Sequence, residues 1–121
     1  MGIGPSTKET SLHHFRDPLL DVVSEDTDLD LMGVMLVGSP DGNEDKLLVG
    51  TRAAIAAECM RADGVIVSCD GWGNSHVDYT NTMEQIGIRG IPAAGIPGPP
   101  GQDVPSEAGT VWIFRTHRCL Q

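Results

Sequence analysis

The sequence predicts an α/β fold, a three-layer βαβαβ arrangement around a short parallel sheet, followed by an irregular C-terminal tail. Three observations carry that expectation. Residues 31–37 are a nearly unbroken apolar run, residues 65–68 are a shorter β-branched one, and the stretches that follow each have helical periodicity. Strand, helix, strand, helix and a third strand over 91–96 make two right-handed crossovers, which build a parallel sheet flanked by helices. The core has to come from Val, Ile, Leu, Ala and Met, because aromatics are only 4% of a chain that is 40% hydrophobic.

Taken in order, residues 2–10 are polar and carry Gly4-Pro5-Ser6-Thr7, which reads as a loop or helix entry. Asp17 before Pro18 has the pattern of an N-cap and first helical position, so a helix is expected over about 18–24. The run Leu31-Met32-Gly33-Val34-Met35-Leu36-Val37 ends at Gly38-Ser39-Pro40-Asp41-Gly42-Asn43, a buried strand and its loop. An Ala-rich helix spans Leu47 to Met60 and stops at Asp63-Gly64. The second strand follows, then the loop 69–76, a helix over 77–88 ending at Arg89-Gly90, and the third strand. After residue 96 the character changes: Pro97, Pro99, Pro100 and Pro105 are half of the 8 prolines. The expected division is an α/β domain over 1–96 and a Pro/Gly-rich linker and tail over 97–121, in which 110–114 adds at most an edge strand.

Charge and cysteine usage exclude several function classes. Seventeen acidic residues against 8 basic ones give a formal net charge of -9, the wrong sign for nucleic acid or an anionic membrane. Glu25, Asp26, Asp28 and Asp30 read as a solvated turn. Cys59, Cys69 and Cys119 show no paired or metal-ligand spacing, and no apolar run reaches the ~18 residues of a membrane span, so a reducing cytoplasm is expected. His13-His14 lacks partners at ligand spacing and reads as surface, and no metal site is expected.

Functional loops of parallel α/β sheets lie beyond the carboxyl ends of the strands, where helices begin. Two segments occupy that edge: residues 39–46, with Asp41, Asn43, Glu44, Asp45 and Lys46, and residues 70–78, with Asp70, Trp72, Asn74, Ser75, His76 and Asp78. Gly71 and Gly73 leave the backbone free to present the Trp72 ring in an exposed loop. Asn74 and Ser75 can cap the next helix or bind a ligand, and a histidine at 76 is a residue type that can transfer a proton, so His76 and Asp70 are the catalytic candidates. Trp72, Asn74, Ser75, Glu44 and Asp45 are the candidates for substrate or partner contact. A capped loop with Trp72 folded onto an interface accounts for the same segment equally well. Cys69 beside Asp70 reads as an inert thiol, and neither a P-loop, a dinucleotide fingerprint nor a nucleophile elbow is present.

Several longer motifs resemble one family. Gly4-Pro5-Ser6-Thr7-Lys8-Glu9-Thr10-Ser11-Leu12-His13-His14-Phe15-Arg16-Asp17-Pro18-Leu19 resembles a signature stretch of the D-proline reductase proteins. Gly42-Asn43-Glu44-Asp45-Lys46, Arg61-Ala62-Asp63-Gly64, Asp70-Gly71-Trp72-Gly73-Asn74-Ser75, Asn81-Thr82, Ile86-Gly87 and Arg89-Gly90-Ile91-Pro92 continue the likeness. More distantly, the strand and its Gly-aromatic-Gly-Asn loop resemble the substrate-activating component of glycine, sarcosine and betaine reductases.

The resemblance implies a chemistry. In that family a proprotein splits at an internal cysteine that becomes a pyruvoyl group, whose carbonyl engages the substrate amine. A selenolate or thiolate attacks the α-carbon, and the ring of D-proline opens reductively to 5-aminovalerate, as in Stickland amino-acid fermentation. The pyruvoyl-forming cysteine belongs upstream of the stretch that begins at Gly2, and none of Cys59, Cys69 or Cys119 holds its position. The resemblance therefore implies no cofactor in this chain, with the pyruvoyl group and selenocysteine on partner subunits of an oligomeric complex. Trp72, Asn74, Ser75 and His76, with Glu44 and Asp45 alongside, would line part of the site that D-proline reaches through that complex. A non-catalytic accessory or assembly protein using the same edge is the alternative, and a free-standing small-ligand domain is a third. For the segment beyond Gly95 a truncated or frame-shifted end and a variant terminus both stand as expectations.

Overall fold

The computed structural model describes residues 18–69, 75–97 and 108–116. Helix α1 (Pro18–Glu25) precedes strand β1 (Leu29–Gly38), helix α2 (Asn43–Cys59), strand β2 (Gly64–Cys69), helix α3 (Ser75–Ile88), strand β3 (Ala93–Pro97) and strand β4 (Ala108–Thr116). The six elements before β4 fall where the periodicity puts them, with ends moved by a few residues.

The four strands form one open sheet in the order β1-β4-β2-β3. β2 and β3 are parallel, and β4 is antiparallel to both β1 and β2, so β1, β2 and β3 all run the same way. The class is α/β, as the sequence predicts, but the sheet is mixed. The segment expected as an edge strand or irregular tail instead contributes an interior strand. Val111 lies in register with Met35 on one side and Val67 on the other, and Ile113 with Gly33 and Val65. The continuous apolar run 110–114 suits a strand paired on both edges better than a solvent-facing border.

The core lies between the sheet and the two crossover helices. Val37, Val65, Val67, Val111 and Ile113 from the sheet pack with Ala53, Ala54 and Ala57 of α2 and Ile86 of α3 in one cluster, which places both helices on one face. Helices on both faces, as three layers require, need the strand order to reverse direction. From β1 through β2 to β3 the order advances one way, and two crossovers of the same hand then cover the same face. α1 packs beside β1 with Val23 buried. Among the described residues, Val34, Leu36 and Ile96 stand exposed on the sheet.

Small residues let α2 and α3 approach closely. A Cβ on Gly50 would run into the side-chain amide of Asn81 and lie 3.3 Å from the Thr82 nitrogen, so glycine is the residue that fits there. Asn81 in turn donates to the backbone oxygens of Lys46 and Leu47 at 3.4 Å each, tying α3 to the start of α2.

Both crossover helices end in the same left-handed turn. After α2, Arg61 has φ 54, its N–H donates to the Glu58 oxygen at 2.8 Å and that of Ala62 to the Ala57 oxygen at 3.1 Å. After α3, Gly90 has φ 75, and the N–H groups of Gly90 and Ile91 donate to Gly87 and Ile86 at 2.9 and 3.4 Å. These are the paired bonds of the Schellman motif. Thus α2 is stopped at Arg61, upstream of the expected Asp63-Gly64. Those two residues serve β4: Asp63 N–H donates to the Phe114 oxygen at 3.1 Å, and the Asp63 carboxylate accepts from the Thr116 N–H at 3.0 Å. A Cβ on Gly64 would come within 2.6 Å of the Phe114 ring.

Candidate functional site

Because β1 and β2 are parallel, their carboxyl ends and the first turns of α2 and α3 share one edge of the sheet. Ser39 follows β1, Lys46 lies in the first turn of α2, Cys69 closes β2, and Ser75, Asp78 and Tyr79 occupy the start of α3. Glu44 and Asp45 place negative charge in the first turn of α2, and Asp78 does so in α3, where the helix dipole favours it.

At the centre of this edge is a buried ion pair. Lys46 Nζ lies 2.7 Å from Asp78 Oδ2, with the lysine side chain fully buried and that of the aspartate 9% exposed. Ser39 Oγ donates to the same Oδ2. The other oxygen, Asp78 Oδ1, is buried and has no hydrogen-bond partner among the described residues. A small cleft lies at this edge, lined by Ser39, Cys69, Ser75, Asp78 and Tyr79 over a floor of Val37, Val67, Thr82 and Val111. Its enclosed part has room for about one water molecule.

The cleft brings a thiol and hydroxyl groups close to this carboxylate. Cys69 Sγ donates to Ser75 Oγ at 3.6 Å, inside the fold. Burial raises the Tyr79 hydroxyl above its ordinary pKa, and negative charge on Cys69 raises it further. Tyr79 lies over β3, where any side chain on Gly95 would collide with its hydroxyl. The edge therefore presents a fixed carboxylate, a thiol and hydroxyl donors within one small space. Among the described residues no group of His, Cys, Asp and Glu could hold a metal ion, and no helix is long and apolar enough to cross a membrane.

The residues singled out from the sequence are distributed unevenly around this centre. Asp70, Trp72 and Asn74 lie outside the described residues. Ser75 is buried in the cleft, whereas His76, its neighbour, sits at the other side of the helix start, tilted against the Tyr79 ring at 6.5 Å. There it lines a shallow open groove between α2 and α3 with Leu47, Val77, Thr80, Asn81 and Glu84. Glu44 and Asp45 are exposed at the rim. The structure thus brings Ser75 into the cleft and leaves His76, Glu44 and Asp45 around it.

Sequence reasoning placed Lys46 and Asp78 on the two edge segments without pairing them, and missed Tyr79 and the part played by Ser39. A signal was available: Lys46 and Asp78 are residues of opposite charge at equivalent positions, four residues into the helix after each parallel strand. Parallel strands bring such positions side by side, and a pair there bridges the two units.

Residues 2–105 match the family of glycine/sarcosine/betaine reductase component B subunits. The D-proline reductase proprotein PrdA of Acetoanaerobium sticklandii is 43% identical over 94 residues, which is 78% of this chain and 15% of that protein. The chain therefore spans a small part of the relative's length. No solved structure matches it. The family match takes in every element from α1 to β3, both halves of the Lys46–Asp78 pair included, and the chain belongs to the family of glycine/sarcosine/betaine reductase component B subunits.

Proposed function

We propose that the chain is a subunit or associated protein of a D-proline reductase, which cleaves D-proline reductively to 5-aminovalerate with a dithiol donor. The observation that carries this reading is the 43% identity to a D-proline reductase proprotein over 94 residues. In it, the carboxyl edge of the sheet forms part of a substrate site completed by other subunits in the cytoplasm. Ser75 and the cleft supply the inner wall, with His76, Glu44 and Asp45 at the rim, and Asp70, Trp72 and Asn74 belong to the same site in this reading.

The electrophile and nucleophile of such a reaction belong, in this reading, to a pyruvoyl-bearing and a selenocysteine-bearing partner. A cysteine-derived pyruvoyl group stands at a chain N-terminus. Cys59 and Cys69 are the last residues of α2 and β2, each joined to the preceding residue of its element, which supports placing that group elsewhere than on these two cysteines.

Purification with the two partner subunits and assay of D-proline-dependent dithiol oxidation tests the proposal. Turnover is expected only when all three are combined. Turnover by the isolated chain, or failure to bind either partner, would overturn it.

The narrowness of the cleft favours a second reading, an accessory or assembly protein that uses this edge only to hold partners. Ser75→Ala and His76→Ala separate the two: a contributor to the site changes KM or kcat in the assembled complex, whereas an accessory protein changes only assembly.

A further inference from the structure

We propose that the groove between α2 and α3 is a docking surface for an amphipathic helix of a partner protein, one whose apolar stripe is flanked by Lys or Arg. The inference concerns the outer side of the helix layer rather than the cleft, and it does not depend on the reductase reading. Exposed apolar side chains point to this face first. Leu47 and Val77 stand 52% and 47% exposed on facing walls of the groove, near the starts of α2 and α3. Thr51, one turn on from Leu47, reaches Gln85 of α3 at 3.5 Å, so this stripe of α2 borders α3. The apolar line continues along the two helices at Ile55 and Ile88, both exposed. Single exposed apolar residues are ordinary, whereas a pair on facing walls of one groove marks an interaction surface.

The polar groups between those walls narrow the choice of occupant. Thr80 Oγ donates to the His76 oxygen at 2.7 Å, and the Asn81 amide donates to the Lys46 and Leu47 oxygens at 3.4 Å. These donors are used inside the protein. What Thr80, Asn81 and Glu84 leave for an occupant is acceptor capacity, the Glu84 carboxylate above all. The groove holds about 410 Å³ and is open along one side, so a small molecule in it keeps much of its surface in water. A helix laid along it covers Leu47 and Val77 and brings donors to Glu84.

Charge sets the sign of the partner. Glu58 is taken by Arg89 at 3.3 Å and the Lys46–Asp78 pair is buried, so α2 and α3 expose Glu44, Asp45 and Glu84 against Arg52. The whole chain carries -9. A second copy brings the same acidic face and the same net charge to the contact, and an anionic membrane is repelled likewise, whereas a basic helix is drawn in. From Val77 to Ile88 the wall of α3 rises about 16 Å, so a partner segment of about three turns matches it.

The experiment uses the full chain and follows the amide signals of Leu47, Val77, Thr80 and Glu84 by NMR. The probes are helical peptides of about 12 residues. The first, of Leu, Ala and Lys, keeps its leucines on one face; the second has the same composition with the leucines spread round the helix; the third carries Glu in place of Lys. Saturable shifts at the four residues are expected with the first peptide, binding at least about ten-fold weaker with the second, and none with the third. Val77→Ser and Glu84→Lys replace exposed side chains and should leave the circular dichroism unchanged, yet each should weaken the first peptide about ten-fold.

Equal binding of the first two peptides, shifts at the acidic turn of residues 25–30 instead of the groove, or undiminished affinity in both variants would overturn the inference. A dimer of the chain held through Leu47 and Val77 would overturn it too, because a second copy would then be the occupant. The reductase reading fails separately. A chain that binds the basic helix but joins no reductase leaves the docking surface standing without that reading, while an active complex built on a chain that binds no basic helix does the reverse.

Discussion

At the scale of single residues, the buried Lys46–Asp78 pair makes the strongest demand on the fold. Removing one member of a buried pair typically costs about 3–5 kcal/mol, because the remaining charge stays desolvated. Asp78→Asn is therefore expected to lower the urea midpoint sharply, and Lys46→Met added to it to recover most of the loss. A double variant as unstable as Asp78→Asn alone would show that the pair is not the cause. Tyr79 offers a cleaner readout, since it is the 1 tyrosine of the chain. Burial first, and Cys69 second, raise its folded pKa above the unfolded value. The folded chain thus holds this proton after the unfolded chain has released it. The associated stability is complete below about pH 10 and declines as pH rises to the folded value. Tyrosinate absorbance should titrate later in the native protein than in urea, and Cys69→Ser should remove part of the difference. Coincident titrations would contradict this account of the cleft.

Among the elements, the two crossover helices share one termination but not one residue. Gly90 takes its left-handed φ at no steric cost, whereas Arg61 adopts the same region with a Cβ. Arg61→Gly is expected to raise the melting temperature, by up to about 1 kcal/mol of stability, and Gly90→Ala to lower it by about 1 kcal/mol. Gly50→Ala separates propensity from packing. Alanine favours an isolated helix by about 1 kcal/mol, but here its methyl meets Asn81, so a net loss of about 1–3 kcal/mol is expected. A stabilised Gly50→Ala protein would mean that α2 and α3 can separate without penalty. These termini also show what the sequence could reveal. Gly90 announces its turn in one letter, whereas Arg61 is invisible because arginine carries no preference for that conformation. Asp63-Gly64 was misread as a helix stop because the same two letters serve equally well to seat a neighbouring strand.

For the whole molecule, the sequence disclosed the alternation of strands and helices and the edge where the site lies, since both follow from local periodicity. It did not disclose the neighbour relations of β4, whose paired residues in β1 and β2 lie 40 or more positions away in the chain. The same holds for the cleft: Ser75 was found because it belongs to a conspicuous Gly-rich motif, but Lys46 and Asp78 acquire meaning only when two distant helix starts are set side by side. Ile113, 1% exposed, stands at the centre of the sheet, so Ile113→Ala should cost about 2–5 kcal/mol. A chain ended at residue 97 should show no cooperative urea transition. If it unfolds cooperatively with near-native circular dichroism, β1 and β2 must be able to pair directly.

The interior position of β4 also sets an order on the making of the protein. β1 cannot be joined to β2 until residues 108–116 have left the ribosome, so the earlier crossover helices must wait with their apolar faces only half covered. Until then β1 has no strand beside it, and its side of the molecule meets the β2–β3 pair only through the contact of α2 with α3. Lys46 and Asp78, at the starts of those two helices, reach their final setting when the last strand completes the sheet beneath them.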